Sequence, residues 1–236
     1  MRFTTLYNVY RFKSMLKKIT LLVFVFVIGF LPVKAAYILI PMDDSQSNHL
    51  KAYGITYQSL LQGKKVQWLL NYRGGSFLLE DQEDFRRECT IRGVSFEIVS
   101  EAEAVKILEF IASPSQNMEA VVLEKAPKIA VYSPKDNQPW DDAVTMVLQF
   151  AEIPYEVVYD EEVLSDQLLL YDWLHLHHED FTGQYGKFYS SYKDFPWYRE
   201  QVSTAEADAK RLGFNKVSQL KLAVANNIKN FVVGGG

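Results

Sequence analysis

Lys128 to Tyr159, KIAVYSPKDNQPWDDAVTMVLQFAEIPYEVVY, is the stretch that decides the fold. KIAVY is a short apolar run of strand length, and Ser133 to Pro139 is a loop rich in turn residues. Asp141 to Ala151 places Val144, Val147, Leu148 and Ala151 at helical spacing, and Pro154 sets the start of a second strand, Tyr155 to Tyr159. Strand, helix, strand within about thirty residues is the βαβ unit of a parallel sheet.

Working outward, the same alternation recurs. Tyr37 to Met42 (YILIPM) reads as a buried strand, and a helix is expected around His49 to Leu61. Val66 to Tyr72 (VQWLLNY) is another near-continuous apolar run, and Phe77 to Leu79 forms a short strand. A helix over Asp81 to Arg92, closed by Gly93, leads to a strand at Val94 to Val99 and a helix at Glu101 to Ala112. Tyr171 to His177 is a further strand, and Val217 to Phe231 a further helix. Unbroken apolar runs separated by amphipathic helices predict an α/β fold of mostly parallel sheet, both faces covered by helices. Ser113 to Asn117 is the best internal boundary, dividing an N-terminal α/β unit (37–113) from a second α/β unit (127–236).

Composition bounds the function. The 236 residues are 48% hydrophobic and 14% aromatic, ample for a core. Met1 to Ala36 holds six basic residues and no acidic ones, leaving 19 basic against 29 acidic side chains beyond it, a net of −10. So acidic a chain is a poor partner for nucleic acid, whose binding rests on Lys and Arg neutralising phosphates. Lys17-Lys18, the apolar run Ile19 to Leu31 and the small residues Ala35-Ala36 form the pattern of a secretory signal peptide. Thirteen apolar residues fall short of the roughly 20 that span a bilayer, so no stable membrane anchor is expected after cleavage. Met15 begins a more conventional leader than Met1 and is the alternative start. The expected product is exported, periplasmic or secreted. Cys89 is the single cysteine, so no internal disulfide can form, and it reads as a buried structural thiol.

Tyr171 to Gly186, YDWLHLHHEDFTGQYG, is the first place to look for chemistry, because ligands of open α/β sheets bind beyond the carboxyl ends of strands. Three of the four histidines stand there. His177, His178 and Glu179 are the candidate catalytic residues, with Asp180 and Tyr185 beside them as ligand contacts. Imidazole and carboxylate also suit a metal, yet neighbouring strand residues point to opposite faces and no His-Glu-x-x-His spacing is present. Metal ligation, ligand contact and a hydrogen-bonded structural cluster all stay open, and no metal or cofactor is assigned.

Asp43 and Asp44 end the first strand, and Asn71 and Arg73 end the second. On parallel strands these four share one rim as candidate substrate-binding residues. Arg73 could grip a substrate carboxylate through two N–H groups. It could equally close the unit by pairing with Asp43 or Asp44. Phe181 to Tyr198 carries Phe181, Tyr185, Phe188, Tyr189, Tyr192, Phe195, Trp197 and Tyr198, aromatics that can stack on sugar rings or pack the loop onto its domain.

The pairing of YDWLHLHH (Tyr171 to His178) with a helix running into FVVGGG (Phe231 to Gly236) resembles the class I glutamine-amidotransferase-like fold, more narrowly its trehalose-utilisation-type branch. The segments PMDDSQSNHLKAYGITYQSLLQGKKVQWLLNYRGGSF (41–77), IAVYSPKDNQPWDDAVTMVL (129–148) and YDWLHLHHEDFTGQYGKF (171–188) resemble a family of exported Bacteroidetes proteins labelled "asparagine synthetase B". That resemblance spans Tyr37 to Gly236 and implies a flavodoxin-like architecture. The reaction named by the label needs an N-terminal Cys and a Ser-Gly-Gly-x-Asp-Ser loop. Arg73-Gly74-Gly75-Ser76 reverses that order, and no Asp-Ser follows. The fold resemblance also implies a strand after the terminal glycines, so the chain is expected to continue past Gly236, where the nucleophilic Cys of such folds would stand. The functions implied are hydrolysis or transfer of a small amide or sugar-linked substrate. The alternative is a non-catalytic module binding a glycan or a protein through the aromatics.

Overall fold

The computed structural model describes residues 36–134, 142–176 and 191–235. Two sheets organise them. The first contains β1 (Ala36–Ile40), β2 (Val66–Leu70), β3 (Ser76–Glu80), β4 (Glu97–Ser100) and β5 (Glu119–Leu123) in the order β4-β1-β3-β2-β5. Every neighbouring pair is antiparallel, with Ile38 opposite Leu79, Trp68 opposite Phe77 and Trp68 opposite Val121. The mostly parallel, flavodoxin-like or class I glutamine-amidotransferase-like sheet expected from the sequence is therefore overturned. The protein is mixed α/β, mainly antiparallel, with one small parallel sheet.

Connection length explains one part of the correction. β2 and β3 are separated by Asn71 to Gly75 alone, whereas a parallel crossover needs a dozen or more residues. The chain reverses there through left-handed backbone at Asn71 (φ 62°), Arg73 (φ 45°), Gly74 (φ 79°) and Gly75 (φ 95°). A Cβ on Gly74 would lie 2.3 Å from the Met42 carbonyl oxygen, so this turn requires glycine for space as well as conformation.

Burial on both faces explains the rest. Helices α1 (His49–Leu61) and α2 (Glu83–Arg92) cover the face carrying Ile38, Ile40, Phe77 and Leu79. Helix α3 (Glu101–Ile111) covers the opposite face, carrying Leu39, Leu69, Leu78 and Val99. A sheet buried twice over needs apolar residues at successive positions, whichever way its strands run. Local caps fix the helix starts: Asn48 accepts from the Lys51 N–H at 3.1 Å, and Ser100 and Glu103 form a capping box.

The second sheet contains β6 (Ile129–Tyr132), β7 (Glu156–Val158) and β8 (Trp173–Leu176), parallel, in the order β7-β6-β8. Helix α4 (Ala143–Ala151) links β6 to β7, and α5 (Asp160–Leu164) with a 3₁₀ turn (Gln167–Leu170) returns the chain to β8 on the other side of β6. Helices α6 (Pro196–Arg211) and α7 (Val217–Val233) follow. Ile129 and Val131 join Leu148 of α4 and the α1 face of the first sheet in one apolar cluster. Ala130, Tyr132 and Val158 face the other way, onto Val163, Leu220, Val224 and Phe231.

Candidate functional site

Strand order reverses about β6, since successive connections leave it in opposite directions. In open α/β sheets that reversal opens a crevice beyond the carboxyl strand ends. The residues delivered there are Tyr132 and Ser133 from β6, Tyr159 and Asp160 after β7, and His175 near the end of β8.

His175 lies opposite Val131, so its side chain is on the α4 face of the sheet. Asp142, the N-cap of α4, is buried there. Its Oδ1 accepts the Val144 N–H at 2.9 Å, and its Oδ2 lies 2.9 Å from the Nε2 of His175. A carboxylate can only accept, so Nε2 carries the proton and donates, leaving Nδ1 of the neutral ring as the acceptor. Nδ1 has no hydrogen-bond partner among the described residues. Alternation puts Ser133 on the same face as Val131 and His175.

The other face of the same edge holds four convergent groups. The Nζ of Lys221 donates to Tyr132 Oη at 3.1 Å, Tyr159 Oη at 3.0 Å and Asp160 Oδ1 at 3.0 Å. The Tyr132 hydroxyl donates to the same Oδ1. Nζ also sits 4.3 Å from the centre of the Tyr159 ring. Lys221 is 3% exposed and Asp160 5%, so this is a buried ion pair with all three ammonium protons used. Among the described residues, Ser59 Oγ is a sealed side-chain polar atom without a hydrogen bond, while the sealed atoms of Asp81 and Arg92 are met by ion pairs with Arg86 and Glu152. The Lys221 and Tyr132 donors both meet Asp160 at Oδ1, and Oδ2 takes no side-chain donor among the described residues.

The residues singled out from sequence fall in two places. His177, His178, Glu179, Asp180 and Tyr185 lie outside the described residues. Asp43 and Arg73 do meet, although their sheet is antiparallel: β1 and β2 both run against β3, so their carboxyl ends share a rim. Arg73 Nε bonds Asp43 Oδ2 at 2.8 Å, Nη1 bonds Glu97 Oε1 at 2.7 Å and Nη2 bonds Ser45 Oγ at 3.1 Å. The Arg73 hydrogen bond, with help from Ser45, holds the Asp43 carboxyl at about 2. Of the two readings of Arg73, the structure takes the closing ion pair. Asp44 is exposed in the adjoining turn, and Asn71 donates to the Asn117 carbonyl at 2.7 Å, tying the hairpin to the approach of β5. Arg73 finds these partners within the first sheet's own rim, while His175 is held by the N-cap of α4 in the second.

Sequence reasoning passed over Asp142, Asp160, Tyr132, Tyr159 and Lys221. The rule applied to YDWLHLHH, that strand ends carry chemistry, also flags Ser133 after KIAVY and Asp160 after YEVVY. Lys221 had a signal too. It stands beside Leu220 in the apolar stripe Val217, Leu220, Val224, Ile228, Phe231, where a lysine needs a partner.

A cleft of about 350 Å³ lies between Tyr171, Asp172, Asn227, Asn230 and Phe231. It opens at the amino end of β8, away from the carboxyl edge. Asp172 is already engaged there by Lys125 at 2.8 Å and by the Lys128 N–H. Among the described residues no cluster of three or more His, Cys, Asp or Glu side chains could hold a metal ion, and no helix is long and apolar enough to cross a membrane. No family model, curated protein or solved structure matches the chain.

Proposed function

We propose that this chain is an exported protein that acts on a small polar substrate at the carboxyl edge of its parallel sheet, with His175 as the group that moves the proton. The observation carrying this reading is the 2.9 Å contact between His175 Nε2 and a buried carboxylate, Asp142, beside the point where strand order reverses. Asp142 is fixed by the first turn of α4, so it sets both the tautomer and the tilt of the imidazole. A base so oriented takes a proton from water or a hydroxyl through Nδ1 and returns it to the leaving group. Small amides and sugar-linked substrates are the bonds to assay first, because both are opened by positioned acid–base catalysis. Export is supported by the leader pattern of Lys17 to Ala36.

The test is turnover by the purified chain on a panel of small amides and simple glycosides. His175→Ala is expected to lower kcat by about 10²–10⁴-fold, the range for losing a general base, with an unchanged circular dichroism spectrum. Turnover that survives in a folded His175→Ala variant ends the proposal.

One observation favours a second reading, a binding module without turnover. Tyr192, Phe195 and Trp197 cluster with ring centres 5.4–6.3 Å apart. Phe195 and Trp197 leave about half their surface to solvent. Exposed rings of this kind stack on sugar faces. If no substrate turns over and glycan binding is lost in Trp197→Ala, this reading stands instead.

A further inference from the structure

We infer, resting on the reading of His175 as the group that moves the proton, that Ser133 is the nucleophile of the same site and that the substrate is an acyl compound, a small amide or ester cleaved through an ester on Ser133. Three observations carry it. First, Ser133 stands two residues past Val131, the register partner of His175, so hydroxyl and imidazole share one face of adjoining strands. About 4.8 Å across the ladder and about 6.6 Å along it put their Cα atoms about 8 Å apart, a gap that the two side chains and one hydrogen bond close. Second, the backbone of Ser133 is fixed. Its N–H donates to the Val158 carbonyl at 3.1 Å, continuing the β6–β7 ladder, and Pro134 behind it confines it to extended backbone. Third, its hydroxyl is idle. Ser133 is 8% exposed, yet its Oγ makes no hydrogen bond among the described residues. The hydroxyls of Thr56, Ser76 and Thr145, buried likewise, each donate to a backbone carbonyl at 2.8–3.0 Å. A buried hydroxyl left without a protein partner calls for a reason, and attack on a carbonyl bound at the strand end supplies one.

The groups present select acyl chemistry. Glycoside cleavage needs two carboxyl groups about the scissile bond, and Asp142 is committed at both oxygens, to the Val144 N–H and to His175. A serine beside an imidazole whose other nitrogen donates to a buried carboxylate has the three roles of serine acyl transfer. Nδ1 takes the Oγ proton as Oγ attacks the carbonyl carbon, and the Asp142 carboxylate stabilises the imidazolium so formed. Nδ1 then gives that proton to the leaving nitrogen or oxygen as its bond to the carbonyl carbon breaks, leaving an ester on Ser133. Water attacks the ester and loses a proton to Nδ1; the C–Oγ bond breaks, Oγ takes the proton back and the carboxylic acid departs. Oγ and Nδ1 do not bond each other in this structure, and such contacts are commonly long without substrate and tighten around it.

The experiment treats the full chain with an alkyl fluorophosphonate, which an activated serine attacks at phosphorus with loss of fluoride, and maps the adduct by tandem mass spectrometry. Trypsin releases Ile129 to Lys135, IAVYSPK, in which Ser133 is the single serine. An adduct on Ser133 is expected, formed at least about a hundredfold more slowly in His175→Ala, which lacks the base. Ser133→Ala should lower kcat on small amides and esters by at least about 10³-fold with an unchanged circular dichroism spectrum. No adduct on Ser133 in the wild-type chain, equally fast labelling in His175→Ala, or turnover that survives in folded Ser133→Ala each overturns the inference. The wild-type adduct decides even where Ser133→Ala does not fold. Turnover that needs His175 and not Ser133 overturns the nucleophile alone and leaves the role of His175 standing, whereas turnover that needs neither removes both.

Discussion

Gly54 of α1 lies against Ala151 of α4 so closely that a Cβ built at position 54 would fall 2.0 Å from the Ala151 carbonyl oxygen. One helix belongs to the first sheet's cover and the other to the second sheet's crossover, so this contact is where the two sheets are joined. Tyr57 adds to it by donating to the Pro127 carbonyl at 2.6 Å, as does Glu152, which pairs with both Lys51 and Arg92.

Gly54→Ala should therefore be costly despite the good helix propensity of alanine. The obstacle is backbone, which cannot rotate away, so α1 and α4 must separate. A loss of at least about 2–3 kcal/mol is expected, at the upper end for overpacking, read by urea denaturation. A neutral or stabilising result would mean that the seam is looser than the geometry states.

The Arg73–Asp43 pair makes stability depend on acid. The folded carboxyl is held at about 2, below its ordinary 3.8, chiefly by the Arg73 hydrogen bond. A group whose folded value is depressed stabilises the fold above its unfolded value and loses that effect as pH falls through the folded one. The contribution is thus complete at neutral pH and vanishes between pH about 4 and about 2. Asp43→Asn should lower the thermal midpoint at pH 7, and the difference from wild type should close over that window. A difference that persists undiminished at pH 2 would refute the assignment.

Cys89 is wholly buried, and desolvation pushes its thiol up to about 11 from an ordinary 9.0. The thiolate is the reactive form. The native protein at pH 8 should resist Ellman's reagent for hours and release one equivalent of thionitrobenzoate at once in guanidinium. Rapid labelling of the native chain would contradict this burial.

Breaking the Lys221–Asp160 pair on one side should destabilise by roughly 3–5 kcal/mol, because the remaining charge is left buried. Lys221→Met is the test. Adding Asp160→Asn should recover most of the loss, so the double variant falls well short of the sum of the two single losses and the coupling energy is far from the zero of independent sites. If the double variant is as unstable as the sum of the two single ones, the pair is not the coupled unit described.

Much of the local structure was legible. Strand-length apolar runs fall where β1, β2 and β6 lie, and Asn48, Ser100 and Asp142 sit at helix starts as short polar residues should. The βαβ reading of Lys128 to Tyr159 corresponds to β6, α4 and β7. Strand direction in the first half was not legible from hydrophobicity, because burial on two faces writes the same apolar runs in either orientation. Only the five-residue link between Leu70 and Ser76 recorded the reversal. The site divides likewise. Arg73 and Asp43 were visible because strand ends are visible, whereas Asp160 and Lys221 are 61 residues apart and meet only through α7 packing back on the sheet.

The amino-acid sequence alone marked most of the strands and helices, though not β5, α5 or α6, and determined that the second half contains a parallel βαβ unit and that Cys89 has no internal partner. Tertiary structure alone decided that the first sheet is antiparallel, that Arg73 is occupied by Asp43, Glu97 and Ser45, and that Asp142 and His175 touch across the β6–β8 crevice. The reason is one of range. Periodicity, caps and turns are written by neighbours within a few residues. The partner of a buried charge is set by which distant surfaces come together once the apolar faces are covered.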